Sequence, residues 1–170
     1  NLLISTYYLC SSCSYHFNYS SQQYIDLLLD KEDRVNIGNN IFSNDPLKFS
    51  GLKEYKDQLE IAQNKTKTND AIMAFVGKIN DLPLVLATLN FSFIGGSMGS
   101  VVGEVIGQSI DYAYERKVPL LIISASGGAR MQEGAISLMQ LAKTSSKMSR
   151  FSKNGGLYIS LLTNPTMGGA

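Results

Sequence analysis

Apolar and polar positions along this chain change character near Asp70. Residues 1–69 are rich in Asn, Ser, Tyr, Lys and Gln, and their apolar positions recur only in short runs such as Tyr24, Leu27 and Leu28. On pattern alone that half is weakly structured. From Ala71 onward the signal sharpens. Residues 71–79 and 84–91 read as strands joined by a turn around Asn80, Asp81 and Pro83, a hairpin-like start. A Gly/Ser-rich loop, 95–100, leads into a helix over 101–115, where Val102, Ile106, Ile110 and Ala113 recur at helical spacing. The wholly apolar run 120–124 suits a strand covered on both faces. A second glycine loop, 126–128, precedes a helix over 129–148, with Ile136, Met139 and Lys143 one turn apart, and 157–163 reads as another buried strand. Strand, glycine turn, helix and strand in this alternation describe an α/β domain with parallel strands. In such domains ligands bind where strands hand over to helices.

Composition narrows the function classes. Apolar residues make up 44% and charged residues 17% of 170, as in a globular chain. The net charge of +1, with no Lys or Arg in residues 1–30, supplies little of the electrostatic attraction that nucleic-acid binding needs. No apolar run approaches the roughly 20 residues that span a bilayer. The first residue is Asn1, and the opening segment lacks the grammar of a secretory signal, so the sequence is expected to start inside a longer chain.

The two glycine loops carry the candidate chemistry. Ser126-Gly127-Gly128-Ala129-Arg130 places adjacent glycines at the expected start of a helix, where backbone N–H groups can hold an oxyanion. The alternative is a tight turn that uses glycine for packing alone. Gly95-Gly96-Ser97-Met98-Gly99 has neither phosphate-loop nor dinucleotide-fingerprint spacing, so nucleotide binding by those routes is not expected. The single histidine, His16, lies far upstream, and no Gly-x-Ser-x-Gly elbow is present, so Ser126 reads as a loop-shaping residue rather than a nucleophile. Glu104 and Glu133 are the carboxylates placed to act as acid or base, though each also suits the first turns of its expected helix. A site that holds an anion and lacks its own base fits a reaction in which the cofactor supplies the base.

Cys10-Ser11-Ser12-Cys13 has the spacing of a zinc knuckle. Two thiols make half a site, His16 is a weak third ligand, and a redox pair or two free thiols are the competing readings.

Four ordered stretches then resemble one family: 93–104 (FIGGSMGSVVGE), 124–134 (SASGGARMQEG), 138–143 (LMQLAK) and 163–169 (TNPTMGG). They are similar to signature stretches of the β subunit of multi-subunit acetyl-CoA carboxylase carboxyltransferases, most densely over 77–169 and more loosely back to Cys10. The resemblance implies an α/β fold of the crotonase-like (ClpP/crotonase) ββα-spiral class, preceded by a four-cysteine zinc ribbon. On this reading residues 1–20 are the second half of the ribbon, with its first pair before Asn1; 21–70 connect; and 71–170 form an incomplete carboxyltransferase domain. Carried over, Gly127 and Gly128 are the oxyanion donors, and Gly95, Gly96, Ser97, Ala129 and Arg130 bind substrate. Cys10 and Cys13 bind structural zinc.

The family's reaction moves a carboxyl group from carboxybiotin to acetyl-CoA, giving malonyl-CoA for fatty acid synthesis. Its partners are the carboxyltransferase α subunit, the biotin carboxyl carrier protein and biotin carboxylase. Asn90 and Val105 depart from the usual Asp and Lys of the family. The Asn, Lys, Ile and Tyr usage suggests a plastid genome, with the bacterial cytoplasm as the alternative location. The competing functions are another crotonase-like acyl-CoA enzyme, a hydratase or isomerase using Glu104 or Glu133, and a non-catalytic fragment whose ribbon docks RNA or a protein.

Overall fold

The computed structural model describes residues 2–168, so Gly169, the last residue of the 163–169 stretch, lies outside the described residues. The chain forms α1 (Leu2–Ser5), α2 (Ser21–Leu28), β1 (Val35–Ile37), α3 (Tyr55–Thr66), β2 (Ile72–Ile79), β3 (Leu82–Leu89), α4 (Ser100–Arg116), β4 (Leu120–Ser126), α5 (Gly134–Lys153) and β5 (Tyr158–Thr166). The strands make one sheet in the order β1-β2-β3-β4-β5. The first two pairings are antiparallel, and β3-β4 and β4-β5 are parallel, with α4 and α5 as the crossovers.

The hairpin expected at 71–91 is present with tighter bounds. Asn80 and Asp81 both take positive φ, 48° and 66°, as a type I′ turn demands. Their N–H groups donate to the two carboxylate oxygens of Asp30 at 3.3 and 3.0 Å, which fixes the turn from outside. Strand alternation then splits the apolar residues between two faces. Ile72, Ala74, Val85, Ala87, Leu89, Leu120 and Ile122 join α3 and α4 in the larger core. Leu84, Leu86, Leu121 and Ile123 meet Ile25 and Leu29, from α2 and the residue after it, on the other face.

Two expectations need correction here. Within residues 1–69, expected to be weakly structured, α2 opens on a Ser20/Gln23 capping box, and α3 sends Tyr55, Leu59 and Ala62 into the larger core. The expected buried strand over 157–163 is instead the edge strand β5, in which Tyr158, Ile159, Leu161 and Leu162 are all exposed. Its apolar run matches that of a central strand, yet among the described residues β4 flanks it on one side only. Among the described residues no helix is long and apolar enough to cross a membrane.

Candidate active site at the two glycine loops

Both glycine loops rise from the C-terminal ends of neighbouring parallel strands, and the backbone zips them together. Gly127 N–H donates to the Gly95 carbonyl at 2.8 Å, Met98 N–H to the Gly128 carbonyl at 2.8 Å, and Arg130 N–H to the Met98 carbonyl at 3.0 Å. Glycine is obligatory at Gly96: φ is +64°, and a Cβ there would lie 2.1 Å from the Ala125 carbonyl oxygen.

In this geometry both expected oxyanion donors have partners within the protein. Gly127 N–H is spent on Gly95, and Gly128 N–H donates to Ser126 Oγ at 3.0 Å, so both amides are engaged within the protein. The helix start also moves. α5 begins at Gly134, after a short 3₁₀ turn over Met131–Glu133, so the glycine pair does not stand on its first turn and gains little from its dipole. Arg130, just before that turn, folds its side chain inward. Ser126 is fully buried and accepts the Gly128 amide, the loop-shaping part expected of it.

Arg130, one of the expected substrate-binding residues, is 0% exposed, its side chain turned into the protein. Its guanidinium pairs with Asp70 through two hydrogen bonds, 2.7 and 2.8 Å, and donates to Ser97 Oγ and the Ser97 carbonyl at 3.0 and 2.7 Å. It also donates to Tyr55 Oη at 3.1 Å and Ser43 Oγ at 3.3 Å, and packs over the Phe93 ring. Burial pulls the guanidinium pKa down, but the hydrogen bonds and charge of Asp70 outweigh it and hold Arg130 above its ordinary value. Ser97 is therefore buried as a partner of Arg130 rather than as an open wall, while Gly95 and Ala129 remain half-buried beside it.

Glu133 completes the cluster. It is also 0% exposed; one carboxylate oxygen accepts from Tyr55 Oη at 2.8 Å and the other from Ser100 N–H at 2.6 Å, capping the start of α4. Burial pushes the Tyr55 hydroxyl far above the usual phenol range; Arg130 opposes this and Glu133 adds to it. Glu104 sits apart on α4 in an ion pair with Lys143, whose hydrogen bond holds the carboxyl below its ordinary range. Neither glutamate stands free at the glycine loops. Val105 is buried in the core against Gly38, and Asn90 accepts the Ser92 amide at 3.2 Å.

The sequence reading missed Ser43, Tyr55 and Asp70, which lie 60 to 87 positions from Arg130. No local spacing links them; the usable signal was the arginine itself, which a buried position obliges to find a carboxylate.

The cysteines form a separate knuckle. Leu9 and His16 bridge antiparallel, and Cys10 N–H donates to the Tyr15 carbonyl at 2.8 Å. Backbone hydrogen bonds from Cys13 and then Ser12 lower the Cys10 thiol pKa, the electrostatics a thiolate ligand requires. Among the described residues no group of three or more His, Cys, Asp or Glu gathers around a point that could hold a metal, so these residues by themselves do not close a zinc centre.

Comparisons agree with this architecture. A family model described as the carboxyl transferase domain matches residues 45–170. The acetyl-coenzyme A carboxylase carboxyl transferase subunit beta of Prosthecochloris aestuarii is 48% identical over 163 residues, 96% of this chain and 58% of that protein. Its counterpart in Pedobacter heparinus is 49% identical over 167 residues, covering 98% and 59%. The chain thus spans just under three-fifths of the length of these curated relatives. Among solved structures, a transcarboxylase 12S with methylmalonyl-coenzyme A bound superposes at TM-score 0.70 and 21% identity, over 86% of this chain and 26% of that one. A Pseudomonas malonate decarboxylase hetero-tetramer in complex with malonate gives 0.68 and 22%, over 87% and 51%. These likenesses match the expected fold class, α/β with the crotonase-like ββα arrangement. With two crossover strands ending in interlocked glycine loops, and a family model over most of its length, the chain belongs to the carboxyl transferase domain family.

Proposed function

We propose that this chain is part of the β subunit of a multi-subunit acetyl-CoA carboxylase carboxyltransferase, transferring a carboxyl group from carboxybiotin to acetyl-CoA to give malonyl-CoA. The observation that carries the reading is the 48–49% identity, over nearly the whole chain, to proteins bearing that subunit's name.

In the reaction the acetyl methyl group loses a proton and gains the carboxyl group, and negative charge gathers on the thioester oxygen. That oxygen would replace Gly95 O or Ser126 Oγ as acceptor for Gly127 or Gly128 N–H. Exchanging one neutral acceptor for another changes little. Charge-assisted bonds are roughly twice as strong, so the exchange favours the enolate over the substrate, and that difference is what accelerates a reaction. Biotin, carried by the carrier protein, would supply the carboxyl group and, once free of it, the base. The engagement of Glu104 by Lys143 and of Glu133 by Tyr55 and Ser100 supports a base from outside this chain and weighs against a hydratase or isomerase.

The partners are the carboxyltransferase α subunit, the biotin carboxyl carrier protein and biotin carboxylase. Cys10 and Cys13 would give two thiolates to a structural zinc. Composition supports a plastid location; the bacterial relatives support the bacterial cytoplasm as the alternative. The test is reconstitution of the full-length chain with its α subunit on carboxybiotin and acetyl-CoA. Malonyl-CoA is expected. Hydration of an enoyl-CoA without it would overturn the reading.

A further inference from the structure

A hollow of about 490 Å³ lies between the cysteine knuckle, α2 and the C-terminal ends of β4 and β5. That is within the size range of small-molecule sites. Five aromatic rings line it: Tyr7, Phe17, Tyr19, Tyr24 and Phe91. Three of them are solvent-facing although large and apolar, with Tyr7 68%, Phe17 43% and Phe91 40% exposed. The remaining rings are held in place: Tyr19 packs against Tyr8 and Tyr24 at centroid distances of 5.1 and 5.2 Å. No Asp, Glu, Lys or Arg lines the hollow; its polar groups are His16, Thr163, the side-chain amides Asn18 and Asn164, and the hydroxyls of its three tyrosines, of which Tyr24 bonds Thr163. Aromatic walls without a lysine or arginine suit a flat, uncharged heteroaromatic ring and suit a phosphate poorly. The floor includes Ala125, whose carbonyl packs against Gly96 and which directly precedes Ser126-Gly127-Gly128. A ligand whose reactive end lies at the glycine loops can therefore reach the hollow along the surface.

We infer that this hollow binds the nucleobase end of the acyl-CoA substrate, so that the knuckle segment reads the nucleotide while the glycine loops hold the thioester. The inference rests on the proposed function for its choice of nucleotide. The test uses the full-length chain assembled with its α subunit and the paired substitutions Tyr7→Ala and Phe17→Ala, both on exposed side chains outside the two cores. The KM for acetyl-CoA is expected to rise about tenfold or more, the scale of a lost base-aromatic stack, with kcat unchanged. Turnover of S-acetylpantetheine, which lacks the nucleotide, should not change, and Tyr7→Phe should retain parent behaviour. An unchanged KM for acetyl-CoA, or an equal loss with S-acetylpantetheine, would overturn the inference. Calorimetry with adenosine 3′,5′-bisphosphate separates it from the functional reading: binding by the parent and its loss in the paired variant sustain the hollow even if no malonyl-CoA forms. No binding by the parent sinks it.

Discussion

β4 and β5 are adjacent parallel strands with similarly apolar sequences and opposite fates. Every residue of β4 is buried, and its C-terminal end runs into the loop sealed by Arg130, Asp70 and Glu133. β5 exposes Tyr158, Ile159, Leu161 and Leu162, and α5, which precedes it in the chain, exposes Leu138 and Met139. An apolar run states that a strand can be buried; its place in the sheet decides whether it is. The sealed end is where loop geometry can be held to a fraction of an ångström, and the open edge offers apolar surface for further protein to cover.

The largest expected effect breaks the sealed end. Arg130→Ala leaves Asp70 and Glu133 buried without their cation and should destabilise the fold by about 3–5 kcal/mol; urea denaturation reads it. The strand comparison itself is sharpened by two truncations. Ile123→Ala on β4 should cost about 2–5 kcal/mol, whereas Leu161→Ala on β5 should stay within about 0.5 kcal/mol. Equal losses would mean that β5 is not open. Tyr55→Phe removes the hydroxyl that links Arg130 to Glu133 and should cost about 1–3 kcal/mol through the polar groups it strands. Among the charged and polar clusters the smallest effect is at Glu104. Its carboxyl pKa is lowered in the fold by Lys143, so its contribution is present above the unfolded value and fades as pH falls through the folded one. The pair is partly exposed, so Glu104→Gln should remove less than about 1 kcal/mol, and only on the neutral side of that window.

Much of the frame was legible because it is local. The Asn80-Asp81 hairpin, the helical spacing of Val102, Ile106, Ile110 and Ala113, and the buried run of β4 all follow from periods of two or 3.6 residues. α2 was legible in principle, since Ser20 and Gln23 spell a capping box. What could not be read is nonlocal. Nothing near Tyr55 or Asp70 announces a partner at Arg130, and nothing in the sequence of β5 marks it as an edge. The start of α5 was misplaced because glycine pairs suit helix entries in general, while here a buried arginine occupies the approach. The resemblance located the loops but not the occupancy of their amides, which depends on Gly95 O and Ser126 Oγ.

Gly127 offers the most direct test of carboxyl transfer at these loops. A Cβ there would meet the Gly95 carbonyl oxygen at 3.5 Å, an ordinary contact, so the first side-chain atom fits and Gly127→Val carries two further methyl groups into the loop mouth. Malonyl-CoA formation by the full-length chain with its α subunit should fall by on the order of 100-fold or more, as when an oxyanion is displaced from its donors, with an unchanged melting temperature. Full activity in that variant would contradict the account.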